Sequence, residues 1–367
     1  MIDLLWTIGF VLSALLIIYH HVGYPLVLNW LSARRKRRQT SKKMGKERCY
    51  RASKADCTLP TMTVIVPAYN EEQWIAEKIR NLASLDYPRD KLTIIVACDG
   101  CTDNTAEIAQ DTIQEAICAD TLFIVHDHKN NRGKVSLINT EMENVTSEIT
   151  ALSDVSALVS CDSLLLASQH YQNENVGVVN ATYQIMSTQN QGEAAYWRYQ
   201  SKVKLKESLI GSTIGSHGAF YTFRTDLFTP LEPEVINDDS DFKRRLRISA
   251  GNMQQFLKLK RLLLPRYRWI AFAFLSGKVL RLATPYLMIM CLTSSILLIE
   301  HPTFQLLLTG QLAVYLVAFI TYLIPVFNLF KPFKLINYMV VGHIANFVGG
   351  LSYLLGMENG RWKRVNH

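Results

Sequence analysis

The stretches MTVIVPAYNEE (residues 62–72) and LTIIVACDGCTDNT (residues 92–105) decide how this chain folds. Each opens as a short apolar, β-branched run and breaks into a polar, acidic loop, with a helical pattern over Glu71–Ser84 between them. Working outward, the same alternation continues. The pattern predicts strands at Met62–Val66, Leu92–Ala97, Leu122–Val125, Ile149–Leu152 and Val176–Val179. It predicts helices around Glu71–Ser84, Asp103–Ala116, Val135–Glu143 and Asp162–Tyr171. Continuous apolar strands alternating with helices describe an α/β domain with a mostly parallel sheet covered on both faces. Ligands of such sheets bind beyond the carboxyl ends of the strands, so the loops there hold the candidate site.

Flanking this domain the composition changes. Residues 4–31 are apolar over a length that crosses a hydrocarbon core of roughly 30 Å. A cleaved signal peptide fits poorly, because the basic cluster follows the apolar run and no small-residue cleavage site does. Of the chain's 367 residues, 39 are Lys or Arg and 31 are Asp or Glu, a net charge of +8. Eleven of those cations lie in Arg34–Lys54 against the single acid Glu47, so the rest of the chain is slightly acidic. The high pI is therefore no sign of a nucleic-acid surface. A basic run beside an apolar helix instead places that side in the cytoplasm, with the N-terminus outside. The expected domains are a membrane helix (1–31), a basic cytoplasmic linker (32–58), the α/β domain (59–264), an interfacial amphipathic helix (265–282), membrane helices within 283–356, and a basic tail (357–367). Three spans in that last region would leave the tail outside, whereas its charge favours the cytoplasm. Either one stretch is re-entrant or the rule is broken.

The loops at the strand ends carry the chemistry-bearing residues. After the first strand, Pro67 stops the strand and Asn70 can cap the next helix, with Glu71 and Glu72 at its positive end. After the second, Asp99 and Asp103 form another acidic loop, which suits a partner with N–H and hydroxyl donors, such as a base or sugar edge. Asn131-Arg132-Gly133-Lys134 supplies two cations; taken alone it reads first as a solvated turn, and it is not a P-loop. Ser153-Asp154-Val155-Ser156 offers one carboxylate and a hydroxyl, which suits Mg²⁺ or Mn²⁺ completed by water and substrate phosphates. Further on stand His217, between two glycines, and the adjacent carboxylates Asp238 and Asp239, one of which can serve as a general base. Arg244 and Arg247 share one helical face; they fit a diphosphate clamp or a basic helix on anionic lipid equally well.

Other readings carry less. The seven cysteines have no framework spacing and read as reduced thiols. Cys98 and Cys101 have redox-pair spacing, but Asp99 between them disfavours a thiolate. Structural zinc would need a second close pair, and a dinucleotide site a glycine-rich first turn. Both glycosylation sequons fall in the expected cytoplasmic domain, and His20 and His21 read as incidental.

Taken in order, VIVPAYNEE, DYP, VACDGCTDNT, RGK, LSDVS, NDD and RRLRI resemble the processive-type family 2 glycosyltransferases, relatives of cellulose, hyaluronan and poly-N-acetylglucosamine synthases. The resemblance runs from about Thr61 to Gln255. It implies a GT-A fold, the Rossmann-like fold of nucleotide-diphospho-sugar transferases, flanked by transmembrane helices. It also implies transfer of a sugar, with inversion, from a nucleotide-sugar donor, UDP-linked, to a growing glycan or lipid-linked acceptor at the inner membrane. Pro67, Tyr69, Glu71 and Asp99 would hold the nucleoside, and Lys134 and Asp154 would lie against the nucleotide sugar. Asp154 with Ser156 would hold Mg²⁺ or Mn²⁺ in place of the family's Asp-x-Asp. Asp239, beside Asp238, would be the base, with His217 near the acceptor. Arg244 and Arg247 stand where the family has Gln-x-x-Arg-Trp, with Ile248 in place of the Trp. The family places a helix, a strand and a loop between the last two elements, while Asp239 and Arg244 are five residues apart. The alternative reading is therefore a catalytically impaired, nucleotide-binding membrane scaffold. Four spans are few for a secretion channel, so a homodimer or an export partner would complete one.

Overall fold

The computed structural model describes residues 2–36, 58–184, 191–231, 241–324, 326–327 and 330–357. The chain forms two compact units, each assembled from separate segments. One, Lys42–Tyr183 with Gly215–Pro233, holds the sheet; the other, Met1–Ser41 with Gln184–Ile214 and Glu234–His367, is helical. The helical unit begins with α1 (Ile2–Ile18), a π-helical segment (Tyr19–Gly23) and α2 (Tyr24–Lys36).

The sheet unit alternates as the sequence predicts: β1 (Met62–Ala68), α3 (Ile75–Ala83), β2 (Leu92–Asp99), α4 (Thr105–Thr112), β3 (Leu122–His128), α5 (Lys134–Met142), β4 (Ile149–Ser153), α6 (Ser163–Tyr171) and β5 (Val178–Asn180). A sixth strand, β6 (Phe220–Arg224), returns from later in the chain. The order is β3-β2-β1-β4-β6-β5. β1 to β4 are parallel, whereas β6 runs antiparallel between β4 and β5. All seven residues of β1 are buried, and successive side chains go to opposite faces. Val64 and Val66 join a core with Ile79 of α3, Ala109 of α4 and Leu164 of α6. Ile65 joins a smaller one with Leu137 and Ile138 of α5 and Phe223 of β6. Each such side chain contributes roughly 1.5–3 kcal/mol through removal from water.

Two expectations for the first loop are corrected. Pro67 does not end the strand: β1 runs through it to Ala68, in register with Ala97 and Cys98 of β2. Pairing with β4 ends at Ile65↔Leu152, so at Pro67 a residue without an N–H breaks no bond to β4. Asn70 does not cap a helix either. It adopts φ +53°, a left-handed conformation that asparagine tolerates better than most residues, and α3 starts five residues later without a side-chain cap.

The helical unit continues with α7 (Gln191–Ile210), α8 (Asp241–Leu259), α9 (Trp269–Ala273), a second π-helical segment (Phe274–Val279), α10 (Leu280–Leu297), α11 (Pro302–Leu323) and α12 (Lys331–Leu354). Four helical stretches are long and apolar enough to cross a membrane: Ile2–Arg35, Trp269–Leu297, Pro302–Leu323 and Pro332–Leu354. The third and fourth lie within residues 283–356. The second is longer than expected, because the helix predicted at the interface runs unbroken through the π-helical segment into α10. Arg34 and Arg35 belong to α2; the remainder of the basic cluster and the basic tail lie outside the described residues.

Candidate active site

At the carboxyl end of the sheet, the loops after β1 and β2 are sewn together by polar bonds. The Asn70 side chain donates to Thr102 Oγ1 at 3.0 Å and accepts the Thr102 N–H at 2.8 Å. The Glu71 N–H donates to Thr105 Oγ1 at 2.7 Å, and that hydroxyl donates to Asp103 Oδ1 at 2.5 Å. Glu72 accepts the Asn104 N–H at 3.2 Å, while Asp103 accepts the Glu72 N–H at 3.3 Å. Such side-chain-to-backbone bonds hold two irregular loops where no ladder can. Pro67 lies in the strand, and Tyr69 and Glu71 follow it into this loop.

Asp99, the last residue of β2, is fully buried. Its carboxylate accepts the Arg132 N–H at 3.0 and 3.1 Å and the Gly133 N–H at 2.7 Å. These bonds latch the loop between β3 and α5 to the end of β2. Gly100 makes the close approach feasible. It has φ +64°, and a Cβ there would lie 2.3 Å from the Asn131 backbone nitrogen, a distance no side chain tolerates. Cys98 and Cys101 are free thiols. A hydrogen bond donated by its S–H to Cys101, together with burial, pushes the Cys98 thiol well above its ordinary range.

The latched loop delivers Lys134 at the start of α5, where its Nζ donates to Asp154 Oδ1 at 2.5 Å. Both side chains are about three-quarters buried (21% and 24% exposed). Strand pairing fixes the other side of Asp154. Its N–H donates to Ala219 O at 3.0 Å, and Ser153 pairs with Phe220 of β6. That pairing places the loop containing His217 at the same sheet end. His217 Nδ1 accepts the Ala219 N–H at 3.1 Å, and its ring stacks on Tyr183 at 4.2 Å. Ser156 is exposed on the turn that follows Asp154.

Sequence reasoning missed Lys78. This fully buried lysine of α3 donates to Ser153 Oγ at 2.7 Å and to Ala157 O, bracketing the Asp154 turn from below. Burial lowers its pKa to about 7, against the attraction of Asp154. The signal was present: Lys78 falls on the stripe formed by Ile75, Ile79 and Leu82, where an amphipathic helix carries apolar residues.

A second group missed by sequence lies beside the latch. His126, His128 and Glu141 hold donor atoms within 4.8 Å of one another, a set that could hold a metal ion. Each Glu141 oxygen sits 2.7 Å from one imidazole. Arg132 Nη2 lies 3.0 Å from His128 Nδ1. A guanidinium can only donate, so Nδ1 accepts and Nε2 carries the proton given to Glu141. In this state the triad is a hydrogen-bond relay ending on Arg132.

Asp238 and Asp239 lie outside the described residues, as do the side chains of Arg244 and Arg247, although α8 contains both arginine positions. The donor set at Asp154 fits a hard divalent cation. Lys134 uses one carboxylate oxygen, which leaves the other and the Ser156 hydroxyl as oxygen ligands. The remaining positions would go to water and phosphate, as Mg²⁺ prefers.

A parallel sheet closed by one reversed strand, with its cationic and acidic loops at one end, has a counterpart among solved structures. The mannosyltransferase PcManGT from Pyrobaculum calidifontis, in complex with GDP-Man and Mn²⁺, superposes with a TM-score of 0.66 at 21% identity, over 95% of this chain and 100% of that one. The fold is that of a GT-A transferase. Residues 63–229 match the family model for glycosyl transferase family 2, and this part of the chain is a domain of that family. Among curated relatives, beta-monoglucosyldiacylglycerol synthase from Nostoc sp. is 27% identical over 207 residues, covering 54% of this chain and 43% of that protein. Poly-beta-1,6-N-acetyl-D-glucosamine synthase from Staphylococcus aureus is 25% identical over 189 residues, covering 49% and 44%. The chain thus spans less than half the length of the curated relatives it matches.

Proposed function

We propose that this chain is a membrane-bound, inverting glycosyltransferase that moves a sugar from a UDP-linked donor to a hydroxyl on a lipid-linked acceptor or growing glycan. The observation that carries the reading is the Lys134–Asp154 pair at the end of β4. It places a cation and a carboxylate together where a GT-A sheet presents its ligands. In the reaction the bond from the anomeric carbon to the diphosphate breaks as the bond to the acceptor oxygen forms. Asp239 takes the acceptor hydroxyl's proton. Lys134, Arg244 and Arg247 offset charge on the departing diphosphate. Pro67, Tyr69 and Glu71 line the nucleoside, while Asp99 holds the 131–133 backbone that shapes its site. His217 and Tyr183 offer a stacked surface toward the acceptor. Mg²⁺ or Mn²⁺ at Asp154 and Ser156 supplies further neutralisation of the diphosphate when bound. The named products of the curated relatives, a glucosylated diacylglycerol and a polysaccharide, support an acceptor held at a membrane. The four apolar helical stretches support an inner-membrane location, and the basic run after α2 supports a cytoplasmic catalytic unit.

The test is nucleotide release from UDP-glucose, UDP-N-acetylglucosamine and GDP-mannose by membranes carrying the chain, with Mg²⁺ or Mn²⁺ and lipid extract as acceptor. Asp154→Ala removes release. Asp239→Asn removes turnover and keeps donor binding, because the base makes no contact with the nucleotide. Donor binding without release in the unaltered chain would replace this reading with that of a nucleotide-binding scaffold.

A further inference from the structure

Two of the four apolar helical stretches are interrupted by π-helical segments, Tyr19–Gly23 and Phe274–Val279, and the two segments touch. Tyr19 Oη lies 3.0 Å from Ser276 Oγ, and His20 Nδ1 lies 2.9 Å from Ser276 O. Single π-helical turns inside α-helices recur at functional sites, and ionisable residues within apolar helices are costly enough to need a reason.

Several such groups gather at this contact. His21 packs edge to face on His343 of α12 at 5.6 Å. Lys278 donates to Gln255 of α8. Arg281, one helical turn further on, is exposed and acts electrostatically on Lys204, Lys278, His20 and His343. Among the described residues, Glu207 is the carboxylate that faces Lys204 and Lys278. It accepts the Tyr24 hydroxyl at 2.6 Å, and Gly277 lies close enough that a Cβ would stand 3.3 Å from both. Burial raises the Glu207 pKa and lowers that of Lys204.

Lys204 and Lys278 face the single carboxylate of Glu207, and Arg281 adds a third cation beside the lysines and imidazoles, so positive charge exceeds negative along this seam, which suits an anion. The seam opens on apolar surface: Val22 and Leu275, members of the two π-helical segments, are exposed (55% and 46%). An anion reaching it along that surface has an apolar body. We propose that this seam binds the phosphate of a phosphate-bearing lipid, with Lys278 and Arg281 as its cations and the acyl chains lying along the outward faces of the π-helical segments.

The experiment uses the full-length protein in detergent micelles, titrated with dioleoyl phosphatidic acid, with dioleoylglycerol (the same tails, no phosphate) or with inorganic phosphate, and reads the thermal unfolding midpoint. Phosphatidic acid should raise the midpoint, and neither control should. Lys278→Met should weaken the apparent affinity for phosphatidic acid about fivefold, as should Arg281→Met at its exposed position, while Lys278→Arg keeps it. Should Lys278→Met not fold, Arg281→Met alone gives the answer. An equal shift with dioleoylglycerol, or an undiminished one in the folded methionine variants, overturns the site. A matching shift with inorganic phosphate overturns the lipid as its occupant.

Discussion

In the sheet unit, β1 buries all seven of its residues and the polar groups of the candidate site crowd at the strand ends. In the helical unit, Ser13, Ser276, Thr284, Ser294 and Ser295 are inside, while Leu12, Leu15, Leu312 and Leu316 are outside and 51–57% exposed. The first unit packs as removal from water demands. The second packs small and hydroxylated residues inward, as helices do when their surroundings are as apolar as leucine. Of these, Ser295 Oγ accepts from Gln311 Nε2 at 2.9 Å and Thr284 Oγ1 donates to Leu280 O at 2.7 Å, whereas Ser294 Oγ is buried without a hydrogen-bond partner among the described residues. The difference teaches that the two units follow different packing rules, and it supports the proposal that the helical unit faces a membrane.

Three measurements press on that contrast. Leu316→Arg on the outer face of α11 should lower membrane insertion by about 2.5–3.5 kcal/mol, seen as loss of carbonate-resistant protein. The same change at the equally exposed Leu122 of β3 should stay within about 0.5 kcal/mol. Equal effects would erase the distinction between the units. Within the sheet unit, Gly100→Ala should cost about 1–3 kcal/mol, because its Cβ would meet the Asn131 backbone. A lowered unfolding midpoint together with weakened donor binding would confirm that the latch serves the site; unchanged binding would separate them.

The shallowest effect concerns Lys78, which the sheet unit buries as completely as it does Asp99. Lys78 holds a proton only below about pH 7 when folded, but below 10.5 when unfolded. Between those values the unfolded chain binds the extra proton, so stability should rise with pH across that window and gain nothing further from Lys78 above it. Lys78→Met should flatten that rise in chelator-containing buffer, which unfolding curves at pH 7, 8.5 and 10 would detect.

Strand and helix positions through α6 were legible because β-branched runs and their spacing are local properties. The motif order added the expectation of a GT-A sheet. What escaped was set by distant partners. FYTFR at 220–224 becomes β6 because β4 and β5 both lack a neighbour, and nothing inside those five residues says so. Asp99 reads as a ligand-binding carboxylate in a loop, yet its partners are backbone N–H groups more than thirty residues away. The helix at Gln191–Ile210 shows little apolar periodicity, so no signal marked it. The π-helical segments escaped because helical spacing alone does not mark an extra residue in a turn. Lys78 was legible and overlooked.

The sheet order also has a consequence in time. During synthesis, β4 and β5 emerge well before Phe220–Arg224, and the strand that must sit between them follows the whole of α7. Made at roughly 5–20 residues per second, the forty or so residues separating β5 from β6 leave β4 a bare sheet edge for several seconds. An incomplete sheet on the ribosome is thus a built-in stage of this protein's birth, and the time at which an unpaired edge most needs shielding from other chains.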